Sequence, residues 1–247
     1  MKDFLIKMGF PIKPNLKIDS RVSMLNAVDQ IKILPFFPNN IKNLSISELC
    51  APGMLFGGNY DEGCWEWKGP VIRQKTAAYG KFFRRKAGFV SLELLADFLN
   101  YRRYSYPIKA GSTDEMLLEI IKENDSLTST ELKKLVFGNR KRTRWDELPE
   151  SNLMIPANSK SKSLESPLQR LQMGGWILIS DFEYKKTRSG ERYGWGVARY
   201  STPEVHFGDS LLMPSDRNPL ESLQNIIDKM KKIWPNVSQK NWEKLLK

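Results

Sequence analysis

A short segment with two tryptophans, a carboxylate and an amine is the part of the sequence best equipped for chemistry. Residues 63–70 are GCWEWKGP, so Glu66 and Lys68 are interleaved with Trp65 and Trp67. A carboxylate such as Glu66 can orient a water molecule, and the amine of Lys68 can attack carbon if burial lowers its pKa. Glu66 and Lys68 are therefore the candidate catalytic residues.

The same segment permits two other interpretations. Alternation of residue types predicts a β-strand over Cys64–Ile72, with the two tryptophans on one face and Glu66 and Lys68 on the other. Both tryptophans can fill a core, because each has a large apolar area to bury. Alternatively, Trp67 stacks on an exposed base of a nucleic acid, an interaction worth roughly 1–3 kcal/mol per base. We expect a mainly structural strand with a functional edge, and the three interpretations stay open at this stage.

Positive charge is concentrated in three stretches of the chain. The net charge is +11, and the stretches Lys68–Lys109, Arg140–Lys162 and Lys185–Arg192 all hold a basic excess. One such stretch alone fits a solvated face, whereas several stretches with interleaved aromatic residues are typical of a nucleic-acid surface. The candidate nucleic-acid-binding residues in and beside these stretches are Trp67, Arg73, Lys75, Lys81, Arg84, Arg85, Lys86, Arg102, Arg103, Arg140, Lys141, Arg142, Arg144, Lys185, Lys186, Arg188 and Arg192.

The composition argues against several classes of site. One histidine and two cysteines are too few for the usual zinc sites, and His206 is expected to be structural or solvated in a loop. Cys50 and Cys64 form neither a CxxC pair nor a secreted disulfide framework. The sequence contains no G-x-x-x-x-G-K-[ST] motif and no G-x-G-x-x-G motif between a strand and a helix. We therefore expect neither a metal ion nor a cofactor.

The chain also lacks sequence signals for export or membrane insertion. The N-terminal residues MKDFLIKMGFPIKP include no small-residue cleavage site, and no apolar run approaches the length of a bilayer span. Free cysteines are the default in a reducing compartment. We expect a cytoplasmic monomer with no membrane partner.

The first half of the sequence predicts a domain of mixed helix and strand. Residues 1–22 are predicted to be an N-terminal extension, and 23–110 a winged-helix-like or α+β domain that contains the WEWKG strand. Ser23 is predicted to cap a helix to about Ile33. Tyr79–Val90 is predicted to be a further strand, bent at two glycines.

A helix and two arginines complete this first domain. Ser91 is predicted to cap a helix to Asn100, with Leu94, Leu95 and Phe98 buried. Arg102 and Arg103 are placed just beyond the end of that helix.

The second half predicts three helices followed by a basic hairpin. Helices are predicted at 112–124, 128–137 and 166–173, and strands at Trp176–Tyr184 and Tyr193–Tyr200 around a turn at Ser189-Gly190. This order is typical of a winged helix-turn-helix domain, which we assign to residues 111–205. Residues 206–247 are predicted to form packing helices. The predicted fold class is α+β, with tandem winged-helix-like domains and small antiparallel sheets.

The third helix and the hairpin of such a module are its usual DNA contacts. The third helix enters the major groove, and the hairpin tip lies near phosphates or the minor groove. The helix is predicted to bury Leu168 and Leu171, and Leu164 if its first turn starts early. It is predicted to expose Gln169, Arg170 and Gln172, which can contact base edges. The turn is predicted to place Phe182 opposite Val197 and Tyr184 opposite Trp195. The alternative is a winged helix that binds proteins.

Several motifs resemble those of one known family. The segments LPFF, WEWKGPV, AYGKFF, KAGFVS, NYRR, LQRLQM, DFEY and YGWGVARYSTPE resemble the short bacterial AlkZ-related proteins, from about residue 23 to the C-terminus. This group is similar to the AlkZ/YcaQ DNA glycosylases, of which it is a distant, shortened relative. The resemblance implies tandem winged-helix domains and DNA binding, and in the full-length enzymes it implies excision of alkylated or crosslinked bases.

One catalytic motif of those enzymes is missing here. The glycosylases position water with a Gln-x-Gln or Gln-x-Asp motif, and neither occurs in this sequence. Our first hypothesis is therefore a protein that binds double-stranded DNA and is linked to the recognition of damaged DNA. The alternatives are an active glycosylase that uses Glu66 and Lys68, and a non-enzymatic scaffold with basic faces for an acidic protein.

Overall fold

A computed structural model describes residues 16–57, 63–138, 163–208 and 215–247. The helices in these ranges are α1 (Arg21–Ile31), α2 (Ile46–Leu49), α3 (Cys64–Arg73), α4 (Leu92–Ser105), α5 (Thr113–Glu123), α6 (Ser129–Phe137), α7 (Glu165–Met173), α8 (Pro203–Phe207), α9 (Pro219–Ile233) and α10 (Gln239–Leu246). The strands are β1 (Ile33–Pro35), β2 (Ala77–Phe83), β3 (Lys86–Ser91), β4 (Ser126–Thr128), β5 (Leu178–Lys186) and β6 (Arg192–Ser201). The predicted contacts Arg140, Lys141, Arg142 and Arg144 lie outside the described residues.

Two small antiparallel sheets organise the described part of the chain. Each sheet has three strands, in the orders β1-β3-β2 and β4-β6-β5. Helices pack around both sheets, so the predicted α+β class with small antiparallel sheets is confirmed. None of the helices in the described ranges is long and apolar enough to cross a membrane.

The segment predicted as the WEWKG strand is helix α3. Its buried residues are Cys64, Trp67, Lys68, Gly69, Val71 and Ile72. Spacings of three and four residues are those of one helix face. The strand prediction was wrong because the alternation of tryptophan with charge covers only four residues, whereas the helical spacing extends over the whole segment. In the helix, Trp65 and Trp67 lie about 200° apart around the axis and no longer share a face.

The segment predicted as one bent strand at Tyr79–Val90 is a hairpin. Strands β2 and β3 pair antiparallel around a turn at Arg84-Arg85. Both turn residues have positive φ, 49° and 69°, a region that Asn and Gly usually occupy in two-residue hairpin turns. The sequence therefore carries no ordinary turn signal at this position, which is why the turn was missed.

Helix α1 begins earlier than predicted. Ser20 is its N-cap, and Ser23 is the third helical residue of the same capping box. The helix ends at Ile31, and the following residues Ile33–Pro35 pair with β3 instead of continuing the helix.

Helix α4 is longer than predicted. It continues to Ser105, so Arg102 and Arg103 belong to its last turn and do not lie beyond its end. The predicted burial of Leu94, Leu95 and Phe98 is confirmed.

The second region, from α5 to β6, follows the predicted order of elements. The side chains of Ser112 and Thr128 cap α5 and α6 as predicted. Helix α7 begins at Glu165, and Ser166 does not cap it. Instead, the backbone N–H of Glu165 donates to the hydroxyl of Ser163. The earlier start buries Leu164.

Two apolar clusters hold the described residues together. The first cluster joins the β1-β3-β2 sheet to α1, α3 and α4, the start of β5, and the C-terminal helices α9 and α10. The second cluster is formed by α5, β4, α6, α7 and Ile177. Strand β5 and helix α7 both contact β2, so the two sheets are joined through side chains of both regions. The domain boundaries at 22/23, 110/111 and 205/206 stay predictions.

Candidate nucleic-acid interface

A hydrogen bond joins helix α3 to the basic hairpin. The hydroxyl of Tyr184 on β5 donates to Oε2 of Glu66 at 2.6 Å, across 118 residues of sequence. Burial, followed by this bond to a carboxylate, raises the pKa of Tyr184, so the hydroxyl keeps its proton. Gly196 makes the approach possible, because a Cβ atom at that position would lie 2.9 Å from Cζ of Tyr184. Glu66 is thereby held at the edge of the hairpin.

An exposed tryptophan lies beside this hydrogen bond. Glu183 pairs with Val197, and Lys185 pairs with Tyr193, so three residues of β6 face one residue of β5. Such a bulge redirects a side chain. Trp195, at the centre of the bulge, is 71% exposed. Its ring contacts the ring of Trp65 in an edge-to-face arrangement, with the two centroids 5.8 Å apart.

The bulges also correct the predicted strand register. Phe182 pairs with Ala198, and the predicted pairing with Val197 is wrong by one residue. Gly194, in the bulge, has a φ of +72°, which a residue with a side chain rarely adopts. The glycines on either side of Trp195 therefore build the bulge and permit the close approach of Tyr184.

Lys68 is buried behind Trp65. It is 2% exposed, and its Nζ lies 3.8 Å from the ring centroid of Trp65 and 4.5 Å from that of Phe182. The ammonium donates to the backbone carbonyl of Trp65 at 2.5 Å. Burial lowers the pKa of Lys68 to about 8, although the charge of nearby Glu66 opposes the shift. Of the two candidate catalytic residues, Glu66 faces an open cleft and Lys68 lies behind a ring.

A cleft of about 510 Å³ lies between α1, α3 and the hairpin. Its lining residues are Ser20, Arg21, Val22, Glu66, Trp67, Pro70, Arg73 and Arg192. Two of the basic stretches of the sequence therefore meet at one concave surface. Trp67 is only 7% exposed and serves as a wall of the cleft, whereas the exposed Trp195 contacts Trp65 and is not one of the lining residues.

The hairpin tip is basic and exposed. Lys185, Lys186, Arg188 and Arg192 all lie on it with exposed side chains. The guanidinium of Arg192 lies 5.0 Å from the ring centroid of Tyr184, which places the tip against the hydrogen-bonded pair. On the opposite wall, Arg73 forms an ion pair with Asp181 at 2.7 Å. Positive charge thus surrounds the cleft, and part of it is already neutralised.

The predicted contacts of the β2–β3 region are mostly exposed. Lys75, Arg84, Arg85 and Lys86 are exposed, and Lys81 is half-buried. The ammonium of Lys86 donates to the carbonyl of Pro38 at 3.0 Å. Arg84, Arg85 and Lys86 stay candidate contacts at the tip of this hairpin, and Lys75 and Lys81 stay candidates before and within β2.

Arg102 is a structural residue. It is 0% exposed, and its guanidinium donates to the carbonyls of Met173, Leu246 and Phe82. It therefore joins α4 to the end of α7, to α10 and to β2, and burial leaves none of its surface for DNA. The predicted contact role was wrong because the helix extends past Arg102 and turns it inward.

The neighbouring arginine keeps partial exposure. The side chain of Arg103 is 29% exposed, forms an ion pair with Glu204 at 2.5 Å, and lies 4.9 Å from the ring centroid of Trp176. It stays a candidate contact at the rim of the second region.

The polar side chains of α7 differ from the predicted exposed face. Gln172 is 1% exposed, accepts the backbone N–H of Lys81 at 3.0 Å and donates to the carbonyl of Leu168 at 3.1 Å. Its predicted exposure was wrong because α7 packs against β2. Arg170 is exposed but donates two hydrogen bonds to Asp114, at 2.8 and 2.6 Å. Gln169 is half-buried.

Sequence reasoning missed several residues at the site. Tyr184 and Trp195 were singled out only for strand pairing, and Arg21 and Val22 were assigned to an extension. The two glycines that flank Trp195 were a usable signal for a bulge, whereas nothing in the sequence linked Tyr184 to Glu66. In the described ranges, no group of three or more His, Cys, Asp or Glu residues is arranged to hold a metal ion.

Comparison with known proteins identifies one family. A family model described as AlkZ related matches residues 18–247. The solved structure of the Streptomyces sahachiroi DNA glycosylase AlkZ is similar to the chain with a TM-score of 0.44 and 11% identity, over 94% of this chain and 60% of that chain. This chain thus spans about three fifths of the length of that enzyme. A search of curated proteins finds no match.

Proposed function

The chain belongs to the AlkZ-related family, and from this premise and the geometry of the cleft we propose that the protein binds double-stranded DNA and takes part in recognising damaged DNA. The observation that carries the proposal is the meeting of α3 with the basic hairpin. Glu66 and Arg73 contribute to one wall of the cleft and Arg192 contributes to another, while the exposed Trp195 of the hairpin packs on Trp65 of α3.

We assign the DNA contacts to the hairpin rather than to α7. The element order α5, β4, α6, α7, β5, β6 and the three-stranded sheet support a winged helix in which β5 and β6 form the wing. A wing tip commonly lies near phosphates. The polar side chains of α7 are largely committed to other protein groups, whereas the four cations of the wing tip are exposed. The tandem arrangement, with a second such domain in 23–110, is part of the proposal.

Recognition of damage would use the aromatic part of the surface. A damaged or mispaired base costs less to extrude from a duplex than a normal pair. Trp195 is 71% exposed, so such a base can stack on it, and the cleft lined by Glu66 and Trp67 has room for a nucleotide. Stacking of this kind contributes roughly 1–3 kcal/mol per base.

A salt titration of DNA binding tests the proposal. About six phosphate contacts give a log–log slope of about −5 for the binding constant against salt, measured by fluorescence anisotropy on a duplex. Replacing the four wing-tip cations (Lys185, Lys186, Arg188 and Arg192) by Gln should make the slope less negative by about 0.9 for each phosphate that is no longer neutralised.

The control removes the same charge from another surface. Lys232, Lys240, Lys244 and Lys247 are exposed on or beside α9 and α10, and their replacement by Gln should leave the slope nearly unchanged. A wild-type slope near zero, or an equal reduction of the slope in the two variants, would contradict DNA binding through the wing.

A second candidate function, base excision, is favoured by the pair of groups on α3. Glu66 is held on the cleft by the Tyr184 hydroxyl and can orient a water molecule. The amine of Lys68, with its pKa lowered to about 8, can attack carbon once Trp65 moves aside.

Single-turnover incubation with alkylated and crosslinked duplexes tests base excision. Wild-type protein should release a base, and Glu66→Gln should slow the release. Lys68→Ala should abolish the borohydride-trapped adduct if the amine is the nucleophile. Absence of released base from every substrate removes this candidate and leaves DNA binding intact.

A further inference from the structure

Two thiols are in contact at the start of helix α3. The Sγ atoms of Cys50 and Cys64 lie 2.7 Å apart, and both cysteines are free. Cys50 follows α2 directly, and Cys64 is the first residue of α3. The pair therefore connects the helix that carries Glu66 to a separate part of the chain.

The backbone fixes both cysteines in place. The N–H of Cys50 donates to the carbonyl of Ile46 at 2.8 Å, and Cys50 forms a parallel bridge with Ile18. The N–H of Cys64 donates to the carbonyl of Met54 at 2.8 Å. Because the main chain holds the sulfurs in contact, only a small side-chain adjustment separates them from the disulfide distance of about 2 Å.

We propose that Cys50 and Cys64 are a modification site that forms a reversible disulfide on exchange with a small-molecule disulfide such as glutathione disulfide. Cys64 is 0% exposed, whereas Cys50 is partly exposed, so Cys50 is the thiol that an oxidant reaches first. The proposal concerns a site at the start of α3 and does not depend on DNA binding.

The reaction is a balanced exchange of two thiols for one disulfide. Cys50 loses its proton, and its sulfur attacks one sulfur of glutathione disulfide, so that one glutathione thiolate leaves. Cys64 then loses its proton, and its sulfur attacks Sγ of Cys50 and displaces the second glutathione. The protein is oxidised by two electrons, and one glutathione disulfide is reduced to two glutathione molecules.

The surroundings of the thiols determine how fast the pair reacts. Burial is the largest cause of a raised pKa at both Cys50 and Cys64, so little of either is present as the reactive thiolate. We therefore expect exchange over minutes to hours rather than seconds.

Oxidation would tie the start of α3 to the end of α2. A closed loop of roughly 15 residues should favour the folded state by a factor on the order of 100, through the entropy of the unfolded chain.

Mass spectrometry under a glutathione redox buffer tests the proposal. In excess glutathione disulfide, the mass of the wild-type protein should fall by the mass of two hydrogen atoms. Digestion should then give a disulfide-linked peptide pair that contains residues 50 and 64. Dithiothreitol should reverse the change. The variant Cys50→Ser, at the partly exposed position, is expected to fold and should show no such mass change.

The alternative outcomes are distinct. Two alkylatable thiols after prolonged exposure, or a glutathione adduct that does not resolve into the crosslinked pair, overturn the proposal. Since the readout is the mass of the protein alone, failure here leaves the DNA-binding proposal standing, and the reverse also holds.

Discussion

Helices α3 and α7 exchange the roles that their sequences suggest. Helix α7 has the composition of a base-contacting helix, yet Gln172 is buried and Arg170 is paired with Asp114. The sequence of α3 suggests an apolar core strand with two tryptophans, yet the segment is a helix that presents Glu66 to a cleft shared with a basic hairpin. Polar residues in a helix therefore indicate a functional surface only when it is known which element packs against the helix face that carries them.

The partner in both cases comes from far along the chain. Strand β2 supplies the backbone N–H that Gln172 accepts, 91 residues away. Strand β5 supplies the hydroxyl that Glu66 accepts, 118 residues away. Packing between the two regions therefore makes α7 mainly a structural element and places Glu66 of α3 at the cleft. Each of the following predictions tests one side of this contrast.

The largest effect is expected at the arginine that secures the end of α7. Arg102→Met leaves three buried carbonyls without their donors, which should lower the free energy of unfolding by at least about 3 kcal/mol. Urea denaturation measures it. Arg103→Met, in the same helical turn, removes one partly exposed ion pair and should cost less than about 1 kcal/mol. Similar costs for the two variants would show that Arg102 does not join these elements.

Lys68 on α3 should make the free energy of unfolding of the protein depend on pH. With its pKa lowered to about 8, the folded state releases this proton before the unfolded chain does at about 10.4. Between these values the unfolded chain binds more protons, so stability rises with pH, by roughly 3 kcal/mol at most. Lys68→Met should be more stable than wild type at pH 7, and the difference should shrink towards pH 10.

The matched control for Lys68 is an exposed lysine. Lys185→Met, at an exposed position on the hairpin, provides the comparison for removing a lysine that is not buried. Urea denaturation at several pH values measures both variants. A pH-independent difference for Lys68→Met would mean that the ammonium is not buried in solution.

Gln172 should act as a structural residue on the α7 side. Gln172→Ala leaves the N–H of Lys81 without its acceptor and should lower the free energy of unfolding by about 2 kcal/mol. The matched change Gln169→Ala, one turn earlier and half-buried, should cost less than about 0.5 kcal/mol. If Gln172→Ala instead weakens DNA binding at unchanged stability, α7 is a contact helix after all.

Local rules predicted much of the fold because local contacts form it. Serine and threonine caps determine the starts of α5 and α6, and apolar spacing determines the buried face of α4. The sequence also predicted a small antiparallel hairpin near Ser189-Gly190, since Gly190 supplies a turn conformation with positive φ.

The errors arose where distant contacts decide the outcome. Four alternating residues suggested a strand at α3, although burial over ten residues follows the helical period. Two arginines form the β2–β3 turn in place of the usual Asn and Gly. The candidate site was half predicted: Glu66, Arg73 and Arg192 meet at the cleft, whereas Tyr184 and Trp195 take their places through a bulge that only the folded register defines.

The smallest effect is expected at the bond that joins α3 to the hairpin. Tyr184→Phe removes the donor to Glu66 and should lower the free energy of unfolding by about 1 kcal/mol near pH 7. The pKa of Tyr184 is raised in the folded state, so the folded protein keeps this proton at pH values where the unfolded chain has released it. The contribution of Tyr184 is therefore fully present below about pH 10 and falls as the pH rises further.

A double-mutant cycle with Glu66→Gln isolates this bond from the packing of the tyrosine ring. The coupling between the two positions should be about 1 kcal/mol at pH 7, because the phenyl ring of the variant still packs against Gly196 while the donor is removed. DNA affinity supplies the second readout. If the bond aligns the hairpin with α3, Tyr184→Phe should weaken DNA binding with an unchanged salt slope, because no cation is removed. A coupling near zero would mean that α3 and the hairpin are positioned independently, and the cleft would then be no more than two adjacent surfaces.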